Sequence, residues 1–473
     1  MKLYFHYFLF IQSLLILACQ PKSKPSSTII SPKDSTLIRS LDSVAERFLA
    51  QNDLPCAVIG LIENGRPLTT LYYGHSEVGK KQKVQGSTVF NLGSISKSLT
   101  AWGILRLVEK GEVVLDSPAT KYIKTWEFPP HNFDESKITV RRLLGHNAGL
   151  SLSGYPGFKN SSELPSTVES LNGLTNGPGR VEVVYEPGTE FRYSGGGFTV
   201  LQLLIEETTQ MSFSEYMTQY VFIPLDMKHS TFETIDDAHP LQPNLAKPYN
   251  GKGKEIIDLN FTARAAAGLR STSNDMIQFI LAELQSGTKS ILDEKWIRLM
   301  HKPNSSSERY GLGHQVRPFK NKRIIGHVGN NQGWHSNFEF IPETKSGIVV
   351  LTNGNDGFYF HNTIMCQWIS HQTGERTLEF CATLPLAKIG KLQEMVLDWY
   401  TKSYITPIQR DTLHTRFHEI RIIGPSDIKK VIRGLNILEG HLSDNYPDVP
   451  KSHIKEYRKI SQEVISGLNS VMW

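Results

Sequence analysis

The 473-residue chain is poor in cysteine, with four in all, and none stands at a zinc-type spacing. So few thiols exclude a disulfide-stapled miniature fold and a cysteine-built metal centre. No apolar run reaches the roughly 20 residues that a membrane-spanning helix needs. No long basic run is present either; the net charge of +5 is spread along the chain, and nucleic-acid binding has no support. No internal repeat is apparent, and Gly-x-Ser-x-Gly is absent, which excludes a nucleophile elbow on a strand-to-helix turn. What is there is an ordinary globular composition, 39% hydrophobic and 21% charged, enough to bury a large core.

The N-terminus reads as a targeting segment. Lys2 supplies a positive start, an apolar run follows from Phe8 to Leu17, and it ends Ile16-Leu17-Ala18-Cys19. That ending resembles the lipobox of bacterial lipoproteins, with residues 1–18 removed and Cys19 lipidated. An ordinary signal peptide or an uncleaved anchor is the alternative. Residues 19–34 are rich in Ser, Pro and Lys and read as a flexible tether. The expected location is therefore extracytoplasmic, with a lipid anchor in a bacterial membrane. Of the remaining cysteines, Cys56 falls in the apolar run Cys56–Ile62 and is expected buried, whereas spacing does not decide whether Cys366 and Cys381 pair.

Further along, Asp34 or Ser35 can cap a helix bearing Leu37, Ile38, Leu41, Val44, Ala45, Phe48 and Leu49 on its apolar positions. Asn64-Gly65 between the strand-like runs Cys56–Glu63 and Arg66–Tyr73 predicts a tight hairpin. From Leu115 to about Met300 the pattern is mostly helical: Thr139 can cap Val140–Leu144, Phe198–Thr208 is amphipathic, Ser212 opens a capping box, and Ser273 can cap Asp275–Leu284. Strand character returns at Tyr310–Val316, Arg323–Val328, Gly333–Ile341 and Gly347–Leu351, before a helix over about Phe358–His371. Strands at both ends and helices between predict one discontinuous α+β domain over 35–372, an antiparallel sheet flanked by helices with an inserted all-helical region. Residues 373–473 read as a helical extension, with segments near Lys388–Lys402, Asp427–Leu442 and Ser452–Leu468 and no catalytic signature. His414 and His418 there are four apart, but no acidic residue and third ligand complete a metal site, so none is expected.

One stretch carries chemistry: Phe90-Asn91-Leu92-Gly93-Ser94-Ile95-Ser96-Lys97 turns at Gly93 and opens an apolar helix that stops at Gly111. Ser94 and Lys97 share a helix face. Ser94 stands where the first backbone N–H groups are unpaired, a suitable place for a nucleophile whose product is an oxyanion. A desolvated amine one turn away can take its proton. Ser-x-x-Lys alone is weak: Ser286/Lys289, Ser426/Lys429 and Ser452/Lys455 repeat it in polar sequence and read as solvated pairs. Ser94 differs by its company. Tyr193 lies in the glycine-rich loop Pro187–Gly197, where a tyrosine can project into a cleft as a proton carrier. His327 lies in Ile324–Gly333, a strand running into glycines that leave backbone N–H groups free at its edge.

In order and spacing these segments resemble the serine β-lactamase and penicillin-binding superfamily, most of all its class C, esterase and D-aminopeptidase branch. Ser94-Ile95-Ser96-Lys97 matches Ser-x-x-Lys, Tyr193-Ser194-Gly195 matches Tyr-x-Asn, and His327-Val328-Gly329 matches the His-x-Gly variant of Lys-Thr-Gly. Supporting matches lie at 138–150, 187–189 and 267–272, so the resemblance covers roughly 35–372 and not the tail. It implies Ser94 as acylated nucleophile, Lys97 as its proton partner, Tyr193 as general base, and the backbone N–H groups of Ser94 and Asn330 as oxyanion hole. Which of Lys97 and Tyr193 takes the first proton stays open. Gly195, His327 and Gly329 fall at substrate-binding positions.

Two departures bear on specificity. Gly195 replaces an asparagine whose amide contacts substrate in β-lactam-handling members, and His327 replaces a lysine that favours a substrate carboxylate. The expectation is a serine hydrolase that acts through an acyl-enzyme on small ester, amide or D-configured peptide substrates, with no cofactor. A β-lactamase or penicillin-binding peptidase is the first alternative. A catalytically weak binding protein on the same fold is the second.

Overall fold

The computed structural model describes residues 31–374 apart from 287–290, 305–306 and 308; beyond 374 it describes parts of 392–440 and residues 447–471. The leader and Cys19, Cys381, His414 and His418 lie outside the described residues, and the helices expected at 388–402 and 427–442 are described only in part.

The chain opens with helix α1 (Pro32–Gln51) and the hairpin of β1 (Cys56–Glu63) and β2 (Arg66–Glu77). Ser31, not Asp34 or Ser35, caps α1, its hydroxyl accepting from the Asp34 N–H. The hairpin turns at Asn64 and Gly65 with φ of 52° and 71°, the left-handed pair that Asn-Gly supplies. Short strands β3 (Gln82–Lys83) and β4 (Phe90–Asn91) precede α2 (Ser96–Glu109). The helical region holds α3 (Val140–Leu144), α4 (Thr167–Leu171), α5 (Gly195–Thr209), α6 (Phe213–Met217) and α7 (Arg264–Ala267). Then come β5 (Arg270–Ser271), α8 (Ser273–Glu283) and α9 (Glu294–Met300). Four strands close the sheet, β6 (Gln315–Phe319), β7 (Lys322–Asn331), β8 (Trp334–Ile341) and β9 (Ser346–Thr352), before α10 (Gly357–Thr373).

Capping follows local chemistry. Thr139 caps α3 and Ser212 forms the capping box of α6. Thr272 rather than Ser273 caps α8, because its hydroxyl is the one that reaches the Asp275 N–H. The strand expected over Tyr310–Val316 lies instead at Gln315–Phe319; Gly313 turns the chain with φ 70° just before it.

The sheet has seven strands in the order β3-β2-β1-β9-β8-β7-β6, every neighbouring pair antiparallel. The first and last strands of the domain thus meet at its centre, Ala57 opposite Thr352. Both faces are covered. On one, Ala57, Ile59, Leu61, Ile348 and Val350 pack with α1 and α10; on the other, Val58, Val349, Phe338 and Phe340 join the core built with α2, α5 and α8. That is why β8 and β9 are buried at every residue, and why β9 reads as a near-continuous apolar run, Ile348–Leu351, instead of alternating. The antiparallel sheet with its inserted helices is the α+β architecture expected.

Described residues past 374 form a separate apolar cluster in which Leu392, Val396 and Trp399 pack with Tyr457 and Val464 of α11 (Lys451–Val471). Ser452 and Lys455 lie on that helix. Cys56 is a buried free thiol, and Cys366 is disulfide-bonded to a cysteine outside the described residues. Among the described residues no helix is long and apolar enough to cross a membrane.

Candidate active site

Ser94 does not begin α2. It is the middle residue of a 3₁₀ turn, Gly93–Ile95, and α2 starts two residues later. The tighter turn keeps early N–H groups out of an α-type ladder. Gly93 has φ 51°, and a Cβ there would lie 2.8 Å from the backbone N of Asn330. Gly329 meets the same turn from the strand side: a Cβ would fall 1.9 Å from the Leu92 carbonyl oxygen. Two glycines therefore let the serine turn and β7 touch backbone to backbone. β6 pairs with β7 only as far as Gln315–Gly326, so the stretch Val328–Asn330 has no strand on its outer edge. The contact is pinned by Asn91, whose Oδ1 accepts from the Gly93 N–H at 3.1 Å and from Asn331 Nδ2 at 2.7 Å.

Ser94 is half-buried, whereas Lys97 is only 1% exposed. Lys97 Nζ lies 3.2 Å from Ser94 Oγ and donates to the Ala266 carbonyl of α7 at 2.7 Å. No carboxylate pairs with it among the described contacts. Burial alone pulls its pKa down to about 7, so a substantial fraction is the free amine at neutral pH.

Tyr193 completes the corner. Lys97 Nζ sits 4.7 Å from the centre of its ring, and the Ser94 hydroxyl hydrogen-bonds to the phenol. Burial pushes the phenol above its usual range, with the Ser94 contact acting the other way, so Tyr193 is protonated at neutral pH. Beside it stands a wall of rings that sequence reasoning did not assemble. His146 lies 4.3 Å from Tyr193 and 4.8 Å from Tyr310, ring centre to ring centre. Its φ is 57°, and its Nδ1 accepts from the Ser194 N–H at 3.1 Å, which puts the ring hydrogen on Nε2. Nε2 is buried without a partner. Burial, then the charges of Lys97 and His327, hold His146 well below the usual histidine range.

His327 is not at a solvent-facing hairpin end: it is 1% exposed, with Nδ1 2.6 Å from the Val328 carbonyl and Nε2 3.0 Å from the Tyr310 hydroxyl. Burial and then Lys97 bring its pKa down to about 3. Gly195 opens α5, but the space beside it is filled: a Cβ would lie 3.2 Å from the Ser153 carbonyl and 3.4 Å from the Tyr155 ring. Tyr155 is fixed there through Thr199 at 2.8 Å. A Cβ at Gly195 would thus press on the Ser153 backbone and rest against the Tyr155 ring.

The structure therefore brings Ser94, Lys97, Tyr193, Gly195, His327, Gly329 and Asn330 to one corner. The sequence reading missed His146, Tyr310, Tyr155 and the Ala266 carbonyl. His146 had a signal, since it falls within the matched stretch 138–150. As for cations, the described side chains offer one group of possible ligands, Asp34, Glu63 and His371, with atoms within 4.8 Å of one another. It lies by α1 and α10, and Asp34 and Glu63 already accept from Ser31 and Gln372.

A model of the Beta-lactamase family matches residues 41–363. The chain belongs to this family. Among curated relatives, Protein flp of Staphylococcus aureus (strain MW2) is 24% identical over 344 residues, covering 68% of this chain and 64% of that protein. The chain thus spans under two thirds of that relative's length. Among solved structures, a class C beta-lactamase aligns with TM-score 0.60 and 19% identity, over 72% of this chain and 98% of that one. The D-amino acid amidase of Ochrobactrum anthropi SV3 aligns with TM-score 0.60 and 20% identity, over 72% and 100%. At these identities the structural likeness establishes the fold, and the family model establishes membership of the Beta-lactamase family.

Proposed function

We propose that the protein hydrolyses ester or amide bonds through an acyl-enzyme on Ser94. The observation that carries this reading is a buried amine without a counter-ion, at a pKa of about 7, 3.2 Å from a half-exposed serine hydroxyl. Lys97 as free amine takes the Ser94 proton while Oγ attacks the substrate carbonyl. Because Tyr193 is held protonated, the first proton falls to Lys97, not to the tyrosine that the resemblance alone named as general base. The Tyr193 hydroxyl then passes a proton to the leaving group and is resupplied from Lys97. The N–H groups of Ser94 and Asn330, brought together by Gly93 and Gly329, hold the oxyanion. Water reverses the sequence to release the acid.

Fluorophosphonate labelling followed by mass spectrometry tests the assignment. The label should sit on Ser94, and Ser94→Ala should abolish both labelling and turnover without moving the melting temperature. A label elsewhere would overturn it, and no labelling at all would favour the non-catalytic binding protein. A fluorescent penicillin in the same experiment separates a β-lactamase or peptidase from an esterase, since ring opening needs the same first step. We also propose that Cys19 carries the lipid anchor: Cys19→Ser should shift the full-length protein from the detergent phase to the aqueous phase, or leave an uncleaved precursor. Equal partitioning of both forms would sink that reading.

A further inference from the structure

Tyr193 belongs to no helix or strand. Residues 190–194 have no regular secondary structure, and its neighbours Phe191 and Arg192 are exposed. Such a stretch does not fix a side chain by itself, yet the phenol has to stay within hydrogen-bond reach of Ser94. One residue of another loop meets this need. The Arg192 N–H donates to the His146 carbonyl at 2.7 Å, and the Ser194 N–H donates to His146 Nδ1 at 3.1 Å. The residues before and after Tyr193 are therefore both tied to His146, whose ring stands 4.3 Å from the Tyr193 ring. Phe198, on the first turn of α5, backs the same imidazole at 5.2 Å. His146 and Ser194 are 2% and 3% exposed, so the bond between them is shielded from water. Burial keeps the imidazole uncharged at neutral pH, and Nδ1 keeps the lone pair that the Ser194 N–H needs. The His146 backbone is left-handed, φ 57°, a conformation that asparagine also adopts readily.

We propose that His146 is the positioning residue for leaving-group protonation: by gripping the backbone on either side of Tyr193 it holds the phenol at Ser94, and it acts only through Tyr193. The inference rests on the serine-hydrolase reading. When the tetrahedral intermediate collapses, the bond from the acyl carbon to the leaving oxygen breaks, and that oxygen takes the Tyr193 proton. A basic leaving group needs the proton, whereas p-nitrophenolate departs as an anion. A displacement of about 1 Å in a catalytic group can cost about a hundredfold in rate. Loss of the grip therefore falls on substrates whose leaving groups are basic.

The test compares phenyl acetate with p-nitrophenyl acetate, which share an acyl group and differ in leaving-group basicity. It measures kcat/KM, which stops at acylation, on the full-length protein, per Ser94 titrated with fluorophosphonate. His146→Phe keeps a ring and loses the Nδ1 acceptor. It should lose about tenfold or more on phenyl acetate relative to p-nitrophenyl acetate, the low end of what a proton donor contributes. Tyr193→Phe should shift the ratio the same way, and adding His146→Phe to it should shift the ratio no further. His146→Asn loses the ring but keeps an acceptor at the Nδ1 position, so it should return the ratio to within about threefold of wild type. Equal loss on both esters in His146→Phe overturns the inference, since a merely structural residue would behave so. Additive shifts in the double variant overturn it too. If His146→Phe fails to fold, His146→Asn decides alone: a shift as large as that of Tyr193→Phe overturns the grip. Ser94-dependent turnover that ignores His146 leaves the hydrolase reading standing. Absence of Ser94-dependent turnover of either ester sinks both readings together.

Discussion

Helix α2 carries one buried charge, Lys97, and meets another, Glu283 of α8, one turn on, and the two are accommodated in opposite ways. At Trp102 the indole N–H donates to Glu283 at 2.6 Å, and that carboxylate also meets His301 Nε2 at 2.7 Å and His314 Nε2 at 2.9 Å. Burial by itself would raise the Glu283 carboxyl, but the two imidazoles outweigh it and hold the pKa at about 2. At Lys97, five residues earlier, there are two neutral oxygens and no carboxylate, and the pKa falls to about 7. Both groups are buried to within 2% of full coverage. Burial does not by itself decide a group's use; its partners do. Surrounded by donors, a buried charge is locked and structural. Left without a counter-ion, it becomes a proton that can move.

The contrast can be broken most severely at Lys97. Lys97→Met should reduce kcat/KM on an activated ester by about a thousandfold or more, the order of general-base and nucleophile activation combined. The same change should raise the melting temperature. Between pH 7 and 10.5 the unfolded chain keeps the lysine proton that the folded chain gives up, so wild-type stability rises with pH there. A tenfold change in proton affinity between the two states is worth about 1.4 kcal/mol. Thermal scans at pH 7 and pH 9.5 on both proteins check it; an unstable Lys97→Met would mean that the ammonium holds the fold together.

At Glu283 the expectation reverses. Glu283→Gln should cost about 3–5 kcal/mol, the usual result of removing one side of a buried, hydrogen-bonded charge cluster. Turnover per folded molecule should stay near wild type. Glu283 is held below its ordinary pKa, so its contribution is present above pH 4.5 and is lost as pH falls towards 2. Denaturant titrations at pH 7 and pH 3 should therefore show the mutant penalty shrinking in acid. A penalty independent of pH would refute the charge assignment.

The mildest test perturbs neither group and varies only pH. If Lys97 is the base, kcat/KM on a neutral ester climbs about tenfold per unit below pH 7 and levels above it. A limb placed above 10, where burial puts the Tyr193 phenol, would assign the base to Tyr193 instead.

Much of this was legible in the residues. The Asn64-Gly65 hairpin and the Thr139 and Ser212 caps are local chemistry, and local chemistry is written in neighbouring letters. Ser94 and Lys97 are three apart, and that spacing alone puts the amine beside the hydroxyl. Where neighbours competed, the reading slipped. Ser31 and Thr272 took the caps expected of Asp34 or Ser35 and of Ser273, since each candidate lies within a few residues of the rest and only the backbone's entry angle selects one. The strand expected from Tyr310 began at Gln315, and Tyr310 turned instead into the site, against His327.

The sequence by itself determined which atoms were available: a serine and an amine in register, a glycine just before the serine, and a histidine where a lysine was the alternative. Tertiary structure decided what state those atoms are in. The pKa of Lys97 depends on water excluded by residues far along the chain, and its second partner is a carbonyl 169 positions away. His327 is uncharged because burial, and then Lys97, 230 positions before it, outweigh the Val328 carbonyl that would favour its charged form. Gly195 is bordered by the Ser153 carbonyl and the Tyr155 ring, about 40 positions before it. Spacing along a helix fixes distance between near neighbours, but desolvation and hydrogen-bond saturation are sums over everything packed around a group, and those sums exist only once the chain has closed on itself.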